Sequence, residues 1–113
     1  FLFAGLHKLG PKVVVITDGP AGAYASDGVE QYFMPPYPDP RQPISRTGAG
    51  DAFATGFFCA LVYGLPVHDA MRWGPIESMH VVQHFGAQTG LLSKPALLKL
   101  LKAAPKNYLP KKI

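Results

Sequence analysis

The sequence contains few of the features that indicate a secreted or membrane protein. It has one cysteine, Cys59, among 113 residues, so no internal disulfide can form within it. No uninterrupted apolar run approaches the roughly 18 residues of a membrane-spanning helix, and no signal-peptide pattern is present. We therefore expect a cytoplasmic location without a membrane partner. Cys59 lies in an apolar run, which favours a small core residue over a nucleophile.

Acidic residues are also scarce. Asp and Glu total 7 against 11 Lys and Arg, which gives a formal charge of +4. Much of the excess lies near the C-terminus, at Lys99, Lys102, Lys106, Lys111 and Lys112. No aromatic residues interleave with these lysines as in a nucleic-acid site, so the pattern favours a solvated helix face and tail and no nucleic-acid partner.

The most informative segment is Gly48-Ala49-Gly50-Asp51, a small-residue loop that runs into an apolar helical segment. Glycines let backbone N–H groups approach an anion, and the first turn of the helix adds unpaired donors and the positive end of its dipole. Asp51 would take a proton from an acceptor hydroxyl while these amides stabilise a transferred phosphoryl group. The segment predicts phosphoryl transfer. The alternative is an ordinary tight turn with a carboxylate that stabilises the helix dipole.

The N-terminal third predicts a helix, a strand and a hairpin. Residues 1–9 fit a helix that ends at Gly10-Pro11, and residues 13–17 form a β-branched run typical of a strand covered on both faces in a parallel sheet. Residues 23–34 predict two short strands around Asp27-Gly28, a dipeptide that suits a type I′ turn. The inward stripe of the first helix is predicted to be Leu2, Phe3, Leu6 and Leu9.

A proline-rich segment follows the hairpin. Its prolines are Pro35, Pro36, Pro38, Pro40 and Pro43. Such a segment supports neither a helix nor a full set of sheet hydrogen bonds. We interpret it as a stiff connector that fixes where the glycine loop begins, with a polyproline ligand for another domain as the alternative.

The remainder predicts three helices. The segment from 51 to 63 is almost entirely apolar and is therefore expected to be buried, with Gly56 permitting close packing. Residues 67–85 form a second helix with a break near Pro75. Ser93 can cap the last helix. The inward stripe of that helix is predicted to be Leu97, Leu98 and Leu101.

The run from Thr47 to Phe57 resembles the signature of the ribokinase-like (PfkB) family of carbohydrate and nucleoside kinases. Three further matches follow the family order: the turn Thr17–Gly22 after a β-branched strand, Gly86-Ala87 after a long helix, and a terminal amphipathic helix. The resemblance runs from Lys12 to about Leu101. It implies an α/β fold, with residues 1–113 as the C-terminal, ATP-side portion of a three-layer α/β/α kinase domain whose N-terminal part is absent.

The resemblance also implies a reaction and its residues. ATP with Mg²⁺ would supply a phosphoryl group to a hydroxyl of a small-molecule sugar or nucleoside. Asp51 matches the family's general base, and Gly48, Ala49 and Gly50 match its anion hole. The implied nucleotide contacts include Thr17, Gly19 and Gly22. Glu77 is implied near the adenine, where relatives often have Asn.

Two features depart from the family pattern or add to it. Many relatives hold a monovalent cation with Asp-Thr-Thr before the glycine loop, whereas Ser45-Arg46-Thr47 stands here and weakens that prediction. Arg46 would contact a phosphate or remain a surface arginine. His80 and His84 share a helix face, but without a third ligand nearby we assign no metal ligand.

The sequence leaves one alternative to the kinase open: the chain could be a non-catalytic nucleotide-binding or interaction module that keeps the scaffold. The isolated 113-residue piece is expected to be inactive. Its apolar helices also predict association, for example as a homodimer, or poor solubility.

Overall fold

The computed structural model describes residues 2–39, 41–44, 48–83 and 92–113. Its elements follow in the order α1 (Leu2–His7), β1 (Val14–Thr17), a 3-10 turn (Gly19–Ala21), β2 (Ala23–Ser26), β3 (Gln31–Met34), α2 (Ala49–Val62), α3 (Val67–Ala70), α4 (Trp73–Val81), α5 (Lys94–Ala103) and β4 (Lys111–Lys112). The predicted α/β class is confirmed. No helix within these ranges is long and apolar enough to cross a lipid bilayer.

The described strands form one sheet in the order β1-β2-β3-β4, and each neighbouring pair is antiparallel. The prediction that β1 pairs in a parallel sheet and is covered on both faces is wrong for the described residues, because β1 pairs antiparallel with β2, Val14 opposite Ser26. Only five residues join β1 to β2, far fewer than a parallel crossover needs. Thr17 at the end of β1 is exposed.

The turn between β2 and β3 differs from the predicted type I′ form. That form needs two residues with positive φ, and here only Gly28 has one, at 93°. The carboxylate of Asp27 instead accepts hydrogen bonds from the N–H groups of Val29 and Glu30, at 2.9 and 2.8 Å. These bonds lower the pKa of Asp27. Val29 consequently lies in the turn, exposed, rather than in the strand.

The closest helix pairing is between α2 and α4, and glycine makes it possible. A Cβ on Gly56 of α2 would lie 2.8 Å from the carbonyl oxygen of Trp73, and a Cβ on Gly74 of α4 would lie 2.7 Å from the ring of Phe53. The predicted close packing at Gly56 is confirmed. Trp73 is buried as a packing residue.

Only one face of α2 is buried. Its inward residues are Ala52, Phe53, Gly56, Phe57 and Ala60. Phe58 is 64% exposed, Val62 is 71% exposed and Cys59 is also exposed. The predictions of an all-round buried helix and of a core Cys59 are therefore wrong for the described residues, because α3 and α4 pack against a single side of the helix.

In the other helices the predicted starts and breaks are confirmed, but not every residue predicted to face inward is buried. The segment after Gly64 divides into α3 and α4 at residues 71–72, with Pro75 in the first turn of α4, where proline is tolerated. The hydroxyl of Ser93 caps α5 by accepting from the N–H of Ala96. Leu98 is exposed.

The two termini are attached to the sheet. Phe3 is buried, but Leu2 and Leu9 are exposed, because α1 ends at His7 and leaves Leu9 beyond it. His7 ties α1 to β2: its Nδ1 donates to the carbonyl of Pro11 at 3.0 Å, and its Nε2 accepts from the Ser26 hydroxyl at 2.9 Å. At the other end the predicted solvated tail is partly a strand, since β4 pairs with β3.

Candidate active site

A cavity of about 620 Å³ lies where the end of β1, the proline-rich segment, the N-terminus of α2 and the side of α4 meet. The predicted site residues that line it are Thr17, Gly19, Gly22, Ala49 and Gly50. Residues separated by about 30 positions in the sequence therefore share one wall. The structure brings together the two glycine turns that the sequence singled out.

The first wall is the turn from β1 into β2. The carbonyl of Gly22 accepts a hydrogen bond from the N–H of Asp18 at 2.8 Å, which closes the turn. Gly22 has a φ of 122°, and a Cβ there would lie 2.6 Å from the carbonyl oxygen of Met34, so only glycine fits between the strands. Gly19 has a φ of 53°, and no atom lies within 4 Å of its missing Cβ. Gly22 thus shapes the turn, while Gly19 leaves open space at the cavity.

The second wall is the start of α2. Gly48 holds the left-handed φ of 82° that begins the helix, and the first helical hydrogen bond runs from the N–H of Ala52 to the carbonyl of Gly48 at 2.8 Å. The N–H groups of Ala49, Gly50 and Asp51 therefore precede the ladder of helical bonds. Apart from the neighbouring residues and the backbone of α2, the described part of the chain has no atom within 4 Å of the Cβ position of Gly50, which leaves room for an anion at this helix start.

Asp51 lies in the first turn of α2, directly after Gly50. Its side chain is exposed and does not line the cavity, and its backbone carbonyl accepts from the Thr55 hydroxyl at 2.9 Å. Asp51 therefore directly follows a residue that lines the cavity, but its own side chain faces solvent outside the lining.

Ser78 is a cavity residue that the sequence reasoning missed. It lies on α4, lines the cavity, and its hydroxyl donates to the carbonyl of Ala49 at 2.7 Å. This bond fixes the first turn of α2 against α4. No local sequence signal indicates it, because a serine inside a helix usually faces solvent or bonds within its own helix.

The proline-rich segment contributes a charged pair to the cavity lining, which the sequence reasoning also missed. The guanidinium of Arg41 donates to the carboxylate of Asp39 at distances of 2.6 to 3.1 Å and approaches Met79 of α4 at 3.7 Å. The pairing lowers the pKa of Asp39. Tyr37 of the same segment donates its hydroxyl to the carbonyl of Leu100 at 3.1 Å. These bonds support the interpretation of the segment as a connector with a fixed course.

Glu77 is not brought to the cavity. It is 3% exposed, and both carboxylate oxygens lie 3.2 Å from the N–H of Leu92, which donates to them. Burial raises the pKa of Glu77, and the bond from Leu92 opposes that shift. The side chain joins α4 to the start of the last helix, and its contact with adenine remains a prediction.

Several predicted features lie outside the described residues, namely Ser45, Arg46, Thr47, His84 and Gly86-Ala87. Arg46 as a phosphate contact therefore remains a prediction. Across the described ranges, no group of three or more His, Cys, Asp and Glu side chains is placed to hold a metal ion.

Known proteins are similar to this chain in sequence. Residues 2–94 match the pfkB family of carbohydrate kinases. A cytidine kinase of Thermococcus kodakarensis is 38% identical over 81 residues, which are 72% of this chain and 29% of that protein. A ribokinase of Bacillus subtilis is 33% identical over 91 residues, 80% of this chain and 30% of that enzyme.

Solved structures of sugar kinases superpose on this chain. The structure of Arabidopsis thaliana ribokinase complexed with ribose and ATP superposes with a TM-score of 0.79 at 32% identity, over 88% of this chain and 32% of that one. A fructokinase from Vibrio cholerae superposes with a TM-score of 0.73 at 27% identity, over 88% of this chain and 33% of that one. The chain thus spans about three tenths of the length of these relatives and has the fold of the corresponding part of a ribokinase-like kinase. It belongs to the pfkB family of carbohydrate kinases.

Proposed function

We propose that this chain is the ATP-side portion of a kinase that transfers the γ-phosphoryl group of ATP to a hydroxyl of a sugar or nucleoside. The observation that carries the proposal is the single cavity lined both by Thr17 and Gly19 and by the first residues of α2. Open space at Gly19 and Gly50, together with N–H groups ahead of the helical ladder, suits a chain of phosphates.

Each residue has a defined part in this reaction. Asp51 accepts the proton of the acceptor hydroxyl. The hydroxyl oxygen bonds to the γ-phosphorus of ATP, and the bond from that phosphorus to the ADP oxygen breaks. The amides of Gly48, Ala49 and Gly50 stabilise the negative charge on the transferring group. Thr17 and Gly19 hold nucleotide phosphates. The exposure of Asp51 supports this role, because the acceptor must reach it from outside the ATP cavity.

The donor and metal follow from the family. A relative of 32% identity was solved with ribose and ATP, which supports ATP as the donor here. Mg²⁺ would reduce repulsion between phosphates and is expected to bind mainly through them, since the described residues form no cluster of acidic, histidine and cysteine side chains that could hold it. We assign it no protein ligand.

The test is ADP formation by the full-length protein with Mg²⁺, ATP and a panel of ribose, fructose and cytidine. We expect ADP to form with at least one acceptor, in amounts equal to the phosphorylated product, and at only a background rate without acceptor. Calorimetry on the same sample then measures ATP binding. Binding of ATP with no acceptor-dependent ADP formation would favour a non-catalytic nucleotide-binding module and would overturn the kinase proposal.

A further inference from the structure

A second cavity lies at the opposite end of α2 from the candidate active site. Its volume is about 440 Å³, and it is bounded by the C-terminal end of α2, by α3 and α4, and by α5. Its lining residues are Tyr63, Leu65, Asp69, Arg72, Trp73, Lys94, Leu98 and Leu101. None of them lines the candidate active site. Since α2 has 14 residues, the two cavities lie about 20 Å apart along its axis.

One side of this second cavity is aromatic and aliphatic. The rings of Tyr63 and Trp73 are 5.9 Å apart and tilted by 45°, and Tyr63 is more than half exposed. Leu98, the α5 residue expected to face inward, is exposed at this wall. An exposed aromatic ring next to an exposed leucine in a concave site suits a flat apolar group.

The other side carries two cations and one acid. The ammonium of Lys94 lies 3.6 Å from the centre of the Tyr63 ring, and the described residues offer it no ion pair. Asp69 supplies the single carboxylate and lies 3.6 Å from His68. With Arg72 and Lys94 both positive, the side chains lining the cavity carry a net positive charge.

Arg72 is held in place by Tyr108, which is buried. The Nε of Arg72 donates to the carbonyl of Tyr108 at 3.2 Å, the guanidinium lies 5.6 Å from the Tyr108 ring centre, and the Tyr108 hydroxyl donates to the carbonyl of Arg72. In the described part of the chain, the terminal nitrogens of this guanidinium have no hydrogen-bond acceptor or ion pair. A fixed cation with unused donors is suited to a carboxylate or phosphate.

The geometry points to a second ligand site, separate from catalysis, for a small organic anion with a planar apolar group. Lys94 and Arg72 pair with its phosphate or carboxylate, and the rings and leucines contact its planar part. Lys94 supplies the selectivity for anions. When the ligand binds, its ammonium moves from the face of the Tyr63 ring to an ion pair that the described residues do not offer it.

Calorimetry on the full-length protein tests this site, with phenyl phosphate as the probe and ADP present at saturation to fill the catalytic cavity. We expect saturable binding that is tighter than that of phenol or inorganic phosphate, since each of these lacks one half of the recognition. Lys94→Gln should weaken it about tenfold, the effect of one charge-assisted hydrogen bond. Lys99→Gln, an exposed lysine of the same helix outside the cavity, should leave it unchanged.

Three results would overturn the inference. One is no saturable binding of phenyl phosphate in the presence of ADP. Another is equal affinity in the wild type and in Lys94→Gln. The third is binding of inorganic phosphate as tight as that of phenyl phosphate, which would show that the aromatic wall takes no part.

Discussion

The hydroxyl of Ser78 donates a hydrogen bond to the carbonyl oxygen of Ala49, 2.7 Å away. The bond joins the middle of α4 to the first turn of α2, where the proposed anion-binding amides lie. A side chain from one helix thus fixes the direction of amides on another. Both residues line the candidate active site.

Replacing Ser78 should therefore change catalysis more than stability. Ser78→Ala removes one hydrogen bond, with an expected loss of about 1 kcal/mol in the free energy of unfolding. We expect a larger effect on turnover, because small misplacements of reacting groups are costly. The measurements are kcat and KM for ATP in the full-length protein. Thr55→Ala is the matched control, since Thr55 also donates to a carbonyl of the first turn but from within α2. Equal turnover in both variants would contradict a positioning role for Ser78.

Two glycines of the loop should respond differently to alanine. Gly48 has a left-handed φ of 82°, so Gly48→Ala should cost about 1–2 kcal/mol of stability. Gly50 is helical, so Gly50→Ala should retain stability or raise it by about 0.5–1 kcal/mol. Gly50→Ala should nevertheless weaken ATP binding, because its methyl group occupies open space at the cavity wall. Urea unfolding and calorimetry measure the two effects, and unchanged ATP affinity in Gly50→Ala would contradict the phosphate assignment.

Gly56 should be intolerant of any side chain. A Cβ there would lie 2.8 Å from the backbone carbonyl oxygen of Trp73, and backbone cannot move aside as a flexible side chain can. We expect Gly56→Ala to destabilise the fold by about 1–3 kcal/mol through overpacking. Gly5→Ala is the control, since Gly5 lies in α1 with no atom within 4 Å of its Cβ position. Similar midpoints of unfolding for the two variants would show that α2 and α4 do not meet as described.

The stability of the fold should depend on the ionisation of Glu77. Burial raises its pKa, whereas the N–H of Leu92 and the charge of His80 lower it. Because the folded pKa exceeds the ordinary value of 4.5, the contribution of Glu77 is fully present below that value and is lost as pH rises through the folded pKa. Glu77→Gln keeps an acceptor for Leu92 and removes the titration. Urea unfolding across this pH range should show the variant becoming more stable relative to the wild type as pH rises. Parallel curves of unfolding free energy against pH for the two proteins would contradict the assignment.

Local patterns predicted the parts of this fold that depend on neighbouring residues. The Ser93 cap and the break between α3 and α4 follow from backbone preferences of nearby residues. The unpaired amides of the glycine loop are also predictable, because a helix start leaves its first N–H groups without intrahelical partners whatever surrounds it.

Features that depend on distant residues could not be predicted in the same way. Whether Phe58 and Cys59 are buried depends on what covers the second face of α2, which the apolar pattern of the helix does not contain. The family resemblance places Glu77 near the adenine, but in the structure its carboxylate accepts from the N–H of Leu92, which lies on another segment. The contact from Ser78 to Ala49 likewise joins two helices and has no sequence signature.

The central claim is that Asp51 acts as the base beside amides that bind the transferring phosphoryl group. Steady-state turnover and calorimetric ATP affinity of full-length Asp51→Asn test it, with Asp69→Asn as the control, because Asp69 is also an exposed carboxylate in the first turn of a helix. We expect Asp51→Asn to lower kcat by about 100-fold or more while ATP affinity stays nearly the same, and Asp69→Asn to keep wild-type turnover. Wild-type turnover in Asp51→Asn would contradict it.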